Sequence, residues 1–174
     1  MINRENIKKA FIYFVLILYI FFLVKILLLS RVSHPELRSI NLIPFHSIMK
    51  YLSGSTVNLK RFAFSNLGGN ILIFVPLGTY LPLFKKDKRV INNLFFIFIV
   101  SLIVEIIQGV FAIGASDIDD IILNSFGGFL GILFFKLLLS LLGDDKKIRT
   151  IISLLSVLGL PILLYLLFMV KLRL

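Results

Sequence analysis

Two acidic residues, Glu105 and Asp120, lie within or at the edge of long apolar stretches of the sequence. An acidic side chain at the centre of a membrane-spanning helix costs about 2.5–3.5 kcal/mol on insertion scales, so by default it is functional or paired. Two apposed carboxylates in a low-dielectric site would titrate as a coupled pair. Glu105 and Asp120 are therefore the predicted catalytic residues, and they fit general acid and base catalysis, a proton relay, or capture of a divalent cation.

Glu105 belongs to a polar stripe on one face of a predicted helix. Four residues share this face through a 4-3-4 spacing, and they are Ser101, Glu105, Gln108 and Ala112. The other faces carry mostly Ile, Val, Leu and Phe, so the stripe should face protein or water rather than lipid. Gln108 is predicted to bind a ligand, with hydrogen bonding between helices as its alternative role.

A second stripe begins at Asp120. It repeats the 4-3-4 spacing through Asp120, Asn124, Gly127 and Gly131. Gly127 and Gly131 form a small-xxx-small pair, which lets another helix backbone approach closely. We expect this face to pack against a neighbour, and the helix that carries Glu105 is the nearest in sequence. Asn124 is a further predicted ligand-binding residue, again with interhelical hydrogen bonding as the alternative.

Other polar residues complete the candidate site. Asp117 fits ligand binding and the support of a helix N-terminus equally well. Ser116 and Asp119 fit a capping box, so Asp119 is expected to cap rather than to react. Asn70 is predicted to bind a ligand, or to join helices by hydrogen bonds. The sequence contains no Cys and two isolated His, which excludes thiolate ligands and predicts no His-based metal site, and it leaves the cofactor open.

The elements that carry these residues are predicted to be membrane helices. The chain is 59% hydrophobic with a mean hydropathy of +1.02, whereas soluble domains are about 45–50% apolar. Its apolar runs are continuous and reach about 20 residues, the length of a spanning helix. The predicted fold is all-α, a polytopic transmembrane helical bundle in one domain of residues 1–174. The five predicted spans are residues 10–29, 66–84, 90–113, 117–142 and 148–170, with an outer loop at residues 30–65.

Basic residues predict the orientation of the chain. With a cytoplasmic N-terminus and an outer C-terminus, the cytoplasmic segments hold ten Lys and Arg residues and the outer segments hold seven. The candidate residues then lie in the outer half of the membrane. The net charge of +10 occurs in short clusters between apolar runs, which favours membrane lipids over nucleic acid as partners. Lys25 and Lys136, near the ends of their spans, are expected to snorkel.

Three blocks of the sequence resemble the VanZ-like family. The first runs from Asn41 to Phe45 and the second from Gly69 to Gly78. The third joins Glu105 and Gln108 to residues 116–124 and the glycines that follow. Together they extend over about residues 40–131. Many relatives carry Arg at the position of Ala115, so the contacts of such an Arg are not implied for this chain.

The resemblance implies a membrane protein of the bacterial cell envelope. The family is named for a protein associated with teicoplanin resistance, and some members lower susceptibility to glycopeptide or lipopeptide antibiotics. With the polar stripes, it favours binding or masking of a lipid-linked envelope precursor or lipid-like ligand at an outward-facing polar pocket. The alternative is a membrane-embedded enzyme that acts on a lipid-linked substrate through the paired carboxylates. A proton-coupled transporter is a third hypothesis, which five spans without a repeat support poorly.

Overall fold

A computed structural model describes residues 4–29, 40–53, 57–85, 88–113 and 116–169, with the backbone alone described at residues 51–52 and 57–66. Its elements follow in the order α1 (Arg4–Val24), a π-helical turn (Lys25–Leu29), β1 (Ile40–Asn41), α2 (His46–Leu52), α3 (Val57–Phe84), α4 (Val90–Phe111), β2 (Ser116–Asp117), α5 (Ile118–Leu142) and α6 (Asp145–Met169). The two strands pair in parallel. Helices therefore make up nearly all of the described chain.

Five of these helical segments are long and apolar enough to cross a membrane. They are Arg4–Leu29, Leu67–Phe84, Val90–Phe111, Ile118–Leu142 and Asp145–Met169. Large apolar side chains on their outer faces remain exposed, and Leu72, Ile91 and Leu141 are each 70–71% exposed. Lipid tolerates such a surface, whereas water does not. The prediction of an all-α polytopic membrane protein with five spans is confirmed.

Residues 30–65, predicted as an outer loop, contain regular structure between the first two candidate spans. Residues 40–53 form β1 and α2, and α3 begins at Val57, well before its apolar part starts at Leu67. A helix satisfies its own backbone groups, so it can extend beyond the hydrocarbon layer on polar residues. Gly114 and Ala115, between the predicted third and fourth spans, lie outside the described residues.

The chain divides into two compact units. The first contains residues 1–32 and 136–174, and therefore α1 and α6. The second contains residues 33–135, and therefore β1, α2, α3, α4, β2 and the first part of α5. Every predicted site residue belongs to the second unit.

In the first unit, α1 and α6 run in the same direction. Lys8 Nζ donates to Thr150 Oγ1 over 2.8 Å, and Lys25 Nζ donates to the Leu167 carbonyl over 2.5 Å, so each contact joins residues 142 apart. Consecutive membrane-spanning helices alternate in direction, so the first and the fifth must be parallel. The parallel packing of α1 and α6 therefore agrees with five spans. Lys25 was expected to snorkel, but its ammonium instead caps a carbonyl in the last turn of α6, where helical donors are lacking.

In the second unit, α3 and α5 approach each other closely enough to exclude side chains. A Cβ atom on Gly127 would lie 2.0 Å from the carbonyl oxygen of Ile71, and one on Gly131 would lie 2.1 Å from that of Val75. The predicted role of the glycine pair in close helix packing is confirmed. The helix that packs against the pair is α3, however, and not α4 as its position in the sequence suggested.

Candidate functional site

The polar stripe of α4 is buried along its whole length. Exposed fractions range from 0% to 4% for Ser101, Glu105, Gln108 and Ala112. The helix ends at Ala112, which adopts a left-handed conformation with φ 54° and donates its N–H to the carbonyl of Gln108. The prediction that this stripe faces protein rather than lipid is therefore confirmed.

Glu105 connects α4 to the start of α5. Its carboxylate is 3% exposed, and Oε2 accepts the backbone N–H of Asp117 over 2.8 Å. Backbone N–H groups at the beginning of a helix have no partner within the helix, and a buried carboxylate is a strong acceptor for one of them. Glu105 thus fixes the short connection between the two helices.

The side chain of Asp117 accepts three hydrogen bonds. Oδ1 accepts Asn41 Nδ2 over 3.0 Å and the backbone N–H of Asp119 over 2.9 Å, while Oδ2 accepts the Ser47 hydroxyl. The bond from Asp119 supports the first turn of α5, and the other two attach residues that come about 70 positions earlier. The strand pairing of Asn41 with Asp117 reinforces the attachment.

Asp119 caps a helix other than its own. Its carboxylate, 1% exposed, accepts the backbone N–H of Phe45 over 2.5 Å and that of Ile48 over 3.1 Å. Phe45 precedes α2 and supplies no side-chain cap, so Asp119 takes the position that a Ser or Asp would fill in an ordinary N-cap. Residues 40–53 are called the tethered segment below, because Asp117 and Asp119 both hold it.

The capping box predicted from Ser116 and Asp119 is therefore wrong in its geometry. Asp117 caps α5 by accepting the N–H of Asp119, and the Asp119 side chain turns away towards α2. A local sequence pattern cannot distinguish the two arrangements, because the competing donors belong to distant residues. Asp119 does cap a helix, although not the helix to which the sequence pattern assigned it.

Two asparagines of the candidate site join helices. Asn70 Nδ2 of α3 donates to Asp120 Oδ1 of α5 over 2.5 Å. Asn124 Nδ2 of α5 donates to Ser101 Oγ of α4 over 2.9 Å. The side chain of Asn124 is 1% exposed, and its Oδ1 atom has no hydrogen-bond partner among the described residues. Asn124 thus has both an interhelical bond and an unfilled acceptor.

The sequence did not identify Asn41 and Ser47 as parts of this cluster. Asn41 Oδ1 accepts the N–H of Ile43 over 3.2 Å, which forms a local turn just before Pro44. An Asn followed by Pro three residues later is a recognisable turn signal. Nothing local to Asn41 or Ser47, however, indicates that both side chains reach Asp117.

A groove of about 410 Å³ occurs at another position in the second unit. Its lining residues are Ile91, Asn92, Leu94, Phe95, Phe98 and Ser125. None of the predicted site residues lines it, and its wall is mostly apolar. Among the described residues, no group of three or more His, Asp or Glu side chains is arranged to hold a metal ion.

Fold and site together define an α-helical membrane protein in which carboxylate hydrogen bonds join the start of the fourth span to the second span, the third span and a tethered segment. The chain matches the family model described as VanZ/LLP1 over residues 10–139. That match covers well over half of the chain, and the chain belongs to the VanZ/LLP1 family.

A curated relative, Protein VanZ from Enterococcus faecium, is 36% identical to this chain over 115 residues. The aligned part covers 66% of this chain and 63% of the relative, so the chain spans less than two thirds of that protein's length. No solved structure matches the chain.

Proposed function

We propose that this VanZ-family membrane protein binds a lipid-linked component of the bacterial cell envelope at its carboxylate cluster. Bound in this way, the component would be masked from glycopeptide or lipopeptide antibiotics, and susceptibility would fall. The observation that carries the proposal is a group of carboxylates near the start of α5, with Glu105 buried and Asp120 half-buried, where hydrogen bonds also hold the tethered segment.

The four carboxylates have different hydrogen-bond partners, and this difference supports the assignment of the cluster as a binding site. Asp117 and Asp119 accept the hydrogen bonds that hold the tethered segment. Glu105 accepts the backbone N–H of Asp117, and Asp120 accepts Asn70 Nδ2. The two carboxylates lie on a buried and a half-buried face of membrane helices, where they can also meet a polar group of a ligand.

The cluster favours a ligand rich in hydrogen-bond donors or carrying an ammonium group. Carboxylate oxygens only accept hydrogen bonds when ionised, and the unfilled Oδ1 of Asn124 adds a buried acceptor one turn along the face from Asp120. An unfilled buried acceptor costs about 1–3 kcal/mol, which a donor from the ligand would offset. The hydrocarbon part of a lipid-linked ligand can stay in the bilayer.

Replacement of Glu105 by Gln tests the proposal directly. In a susceptible Gram-positive host, expression of the wild-type chain is expected to raise the teicoplanin concentration needed to stop growth. Glu105→Gln and Asp120→Asn should return it to the level of the empty vector, because each removes a charge but keeps the shape of the side chain. Asp144→Asn is the matched control, since Asp144 is an exposed acid outside the cluster, and it should protect as the wild type does.

Two outcomes would contradict binding and masking. The first is full protection by Glu105→Gln at equal protein abundance in the membrane. The second is conversion of a radiolabelled lipid-linked precursor to a product by the purified wild-type protein, with no conversion by Glu105→Gln. That result would support the alternative in which the paired carboxylates catalyse a reaction.

Masking of an outer-leaflet component also requires the cluster to lie on the outer side. The chain contains no cysteine, so single-cysteine variants react with maleimides only at the introduced residue. We expect Lys50→Cys to react with a membrane-impermeant maleimide in intact cells, and Lys146→Cys to react only after permeabilisation. Both side chains are exposed, so access alone decides the result. The reverse pattern would contradict an outward-facing cluster.

A further inference from the structure

In the tethered segment, two polar side chains point into the protein and several apolar side chains point outwards. This is the opposite of the arrangement that water favours. Asn41 and Ser47 turn inwards and bond to Asp117. The side chains of Leu42, Ile43 and Met49 turn outwards and are 72%, 65% and 66% exposed. A segment that faces water would show its polar side and bury its apolar side.

The outer face of the segment is apolar over most of its length. Its large exposed side chains are Ile40, Leu42, Ile43, Phe45 and Met49, all more than half exposed. Contiguous apolar surface of this kind indicates contact with another apolar phase or molecule. The inward side is hydrogen-bonded to Asp117 and Asp119 at the start of α5, so the segment is fixed near one end of a membrane-spanning helix.

The end of α4 that carries Glu105 also exposes apolar side chains. At that end of the helix, Ile106, Val110 and Phe111 are 54%, 60% and 63% exposed. These residues belong to a helix that crosses the membrane, so lipid covers them. The tethered segment and this end of α4 therefore both expose apolar side chains, and both are hydrogen-bonded to residues at the start of α5.

We propose that the tethered segment is an interfacial element that lies in one leaflet of the bilayer, with its apolar side chains at the boundary between headgroups and acyl chains. The bilayer surface is its partner. Two exposed polar side chains, His46 and Lys50, suit this depth, because they can extend to the headgroups while the apolar residues stay below. Lys50 also favours anionic lipid.

The same geometry makes the segment the boundary between lipid and the carboxylate cluster. Its outer side contacts acyl chains, and its inner side contacts Asp117 and Asp119. A lipid headgroup beside the segment is then within a few side chains of the cluster. This inference rests on side-chain exposure, on the hydrogen bonds of the tether and on the membrane helices beside it, so it stands whether or not the proposed masking function is correct.

Depth measurement in nanodiscs of phosphatidylcholine and phosphatidylglycerol tests the inference. Leu42→Cys and Met49→Cys are labelled separately with an environment-sensitive fluorophore, and both side chains are exposed, so neither substitution removes packing. Ile103→Cys in the middle of α4 is the deep control, with a side chain 50% exposed. Lys146→Cys, exposed between two helices, is the aqueous control.

Fluorophores at residues 42 and 49 are expected about 5–10 Å below the headgroups. Lipids with a spin label near the headgroup should quench them more than lipids with a label at the chain end, and iodide should quench them little. At residue 103, lipids with the label at the chain end should quench more than lipids with the label near the headgroup. Quenching by iodide as strong as at residue 146 would overturn the proposal in favour of water. Protection from both lipid and iodide would overturn it in favour of a protein partner, such as a second copy of the chain.

Discussion

Leucine at Gly127 or Gly131 is expected to prevent stable folding of the second unit. The first side-chain atom alone would lie 2.0 Å from Ile71 O, or 2.1 Å from Val75 O, and both obstacles are backbone carbonyls of α3. Overpacking of a core costs about 1–3 kcal/mol when side chains can move aside. Backbone in a spanning helix cannot move without displacing the whole helix, so the cost here should be at or above that range.

The separation of α3 from α5 would also break the contact between Asn70 and Asp120, which lies on the same helix pair. We expect Gly127→Leu and Gly131→Leu to accumulate as aggregate in size-exclusion chromatography in mild detergent. Gly127→Ala should unfold at a lower temperature than the wild type. The effect on the candidate site is thus a consequence of helix separation rather than of lost chemistry.

Gly159→Ala is the matched control, because a Cβ atom at Gly159 of α6 would meet no atom within 4 Å. Alanine is a better helix former than glycine by about 0.8–1.0 kcal/mol, so this variant should be as stable as the wild type or more so. Equal thermal stability of Gly127→Leu and the wild type would contradict the close approach of the two helices.

Replacement of Asp119 by Ala is expected to release the tethered segment while α3, α4 and α5 stay folded. The variant removes both acceptors for the N–H groups of Phe45 and Ile48. Hydrogen bonds to charged groups contribute about 1.5–3 kcal/mol each. Phe45 also adopts a left-handed conformation with φ 65°, which costs about 1–2 kcal/mol for a residue with a side chain. The carbonyl of Phe45 still accepts the N–H of Met49 when Asp119 is removed, but that bond lies within the segment and does not attach it to α5.

Hydrogen exchange measured by mass spectrometry can separate the segment from the helices. We expect faster exchange at residues 42–50 in Asp119→Ala and unchanged exchange in the core of α4. Asp119→Asn keeps one acceptor oxygen of the two, so it should fall between the wild type and Asp119→Ala. Asp144→Ala is the control, since it removes an exposed acid that accepts the N–H of Lys146 and should leave the segment unchanged. Slow exchange of the segment in Asp119→Ala would show that another contact holds it.

The part of the site that lies on single helices could be predicted from the sequence. The 4-3-4 spacing of Ser101, Glu105 and Gln108 determines a face, and burial of that face follows from the apolar residues on the others. The glycine pair was predictable for the same reason, because a small-xxx-small pattern is local. Both patterns follow from the geometry of a single helix. The spacing of residues in the sequence therefore specifies which of them share a face.

The partners across elements could not be predicted in the same way. Asp119 was assigned to its own helix because the pattern with Ser116 is local, whereas the N–H groups it accepts belong to Phe45 and Ile48. The glycine pair was expected to meet the adjacent helix in sequence, yet it meets α3. Non-local choices of this kind depend on which chain segments compete for the same acceptor or groove, and a single sequence gives no direct measure of that competition.

The parallel pairing of α1 with α6 has a consequence for the order in which the protein is assembled. During synthesis α1 enters the membrane before any other described helix, whereas the residues that its lysines contact, Thr150 and Leu167, are made 142 positions after them. Lys25 must therefore reside at the membrane without its carbonyl partner until α6 has been inserted. Contacts of such long sequence separation form late and slowly, so the first unit should close only after the helices of the second have entered the bilayer.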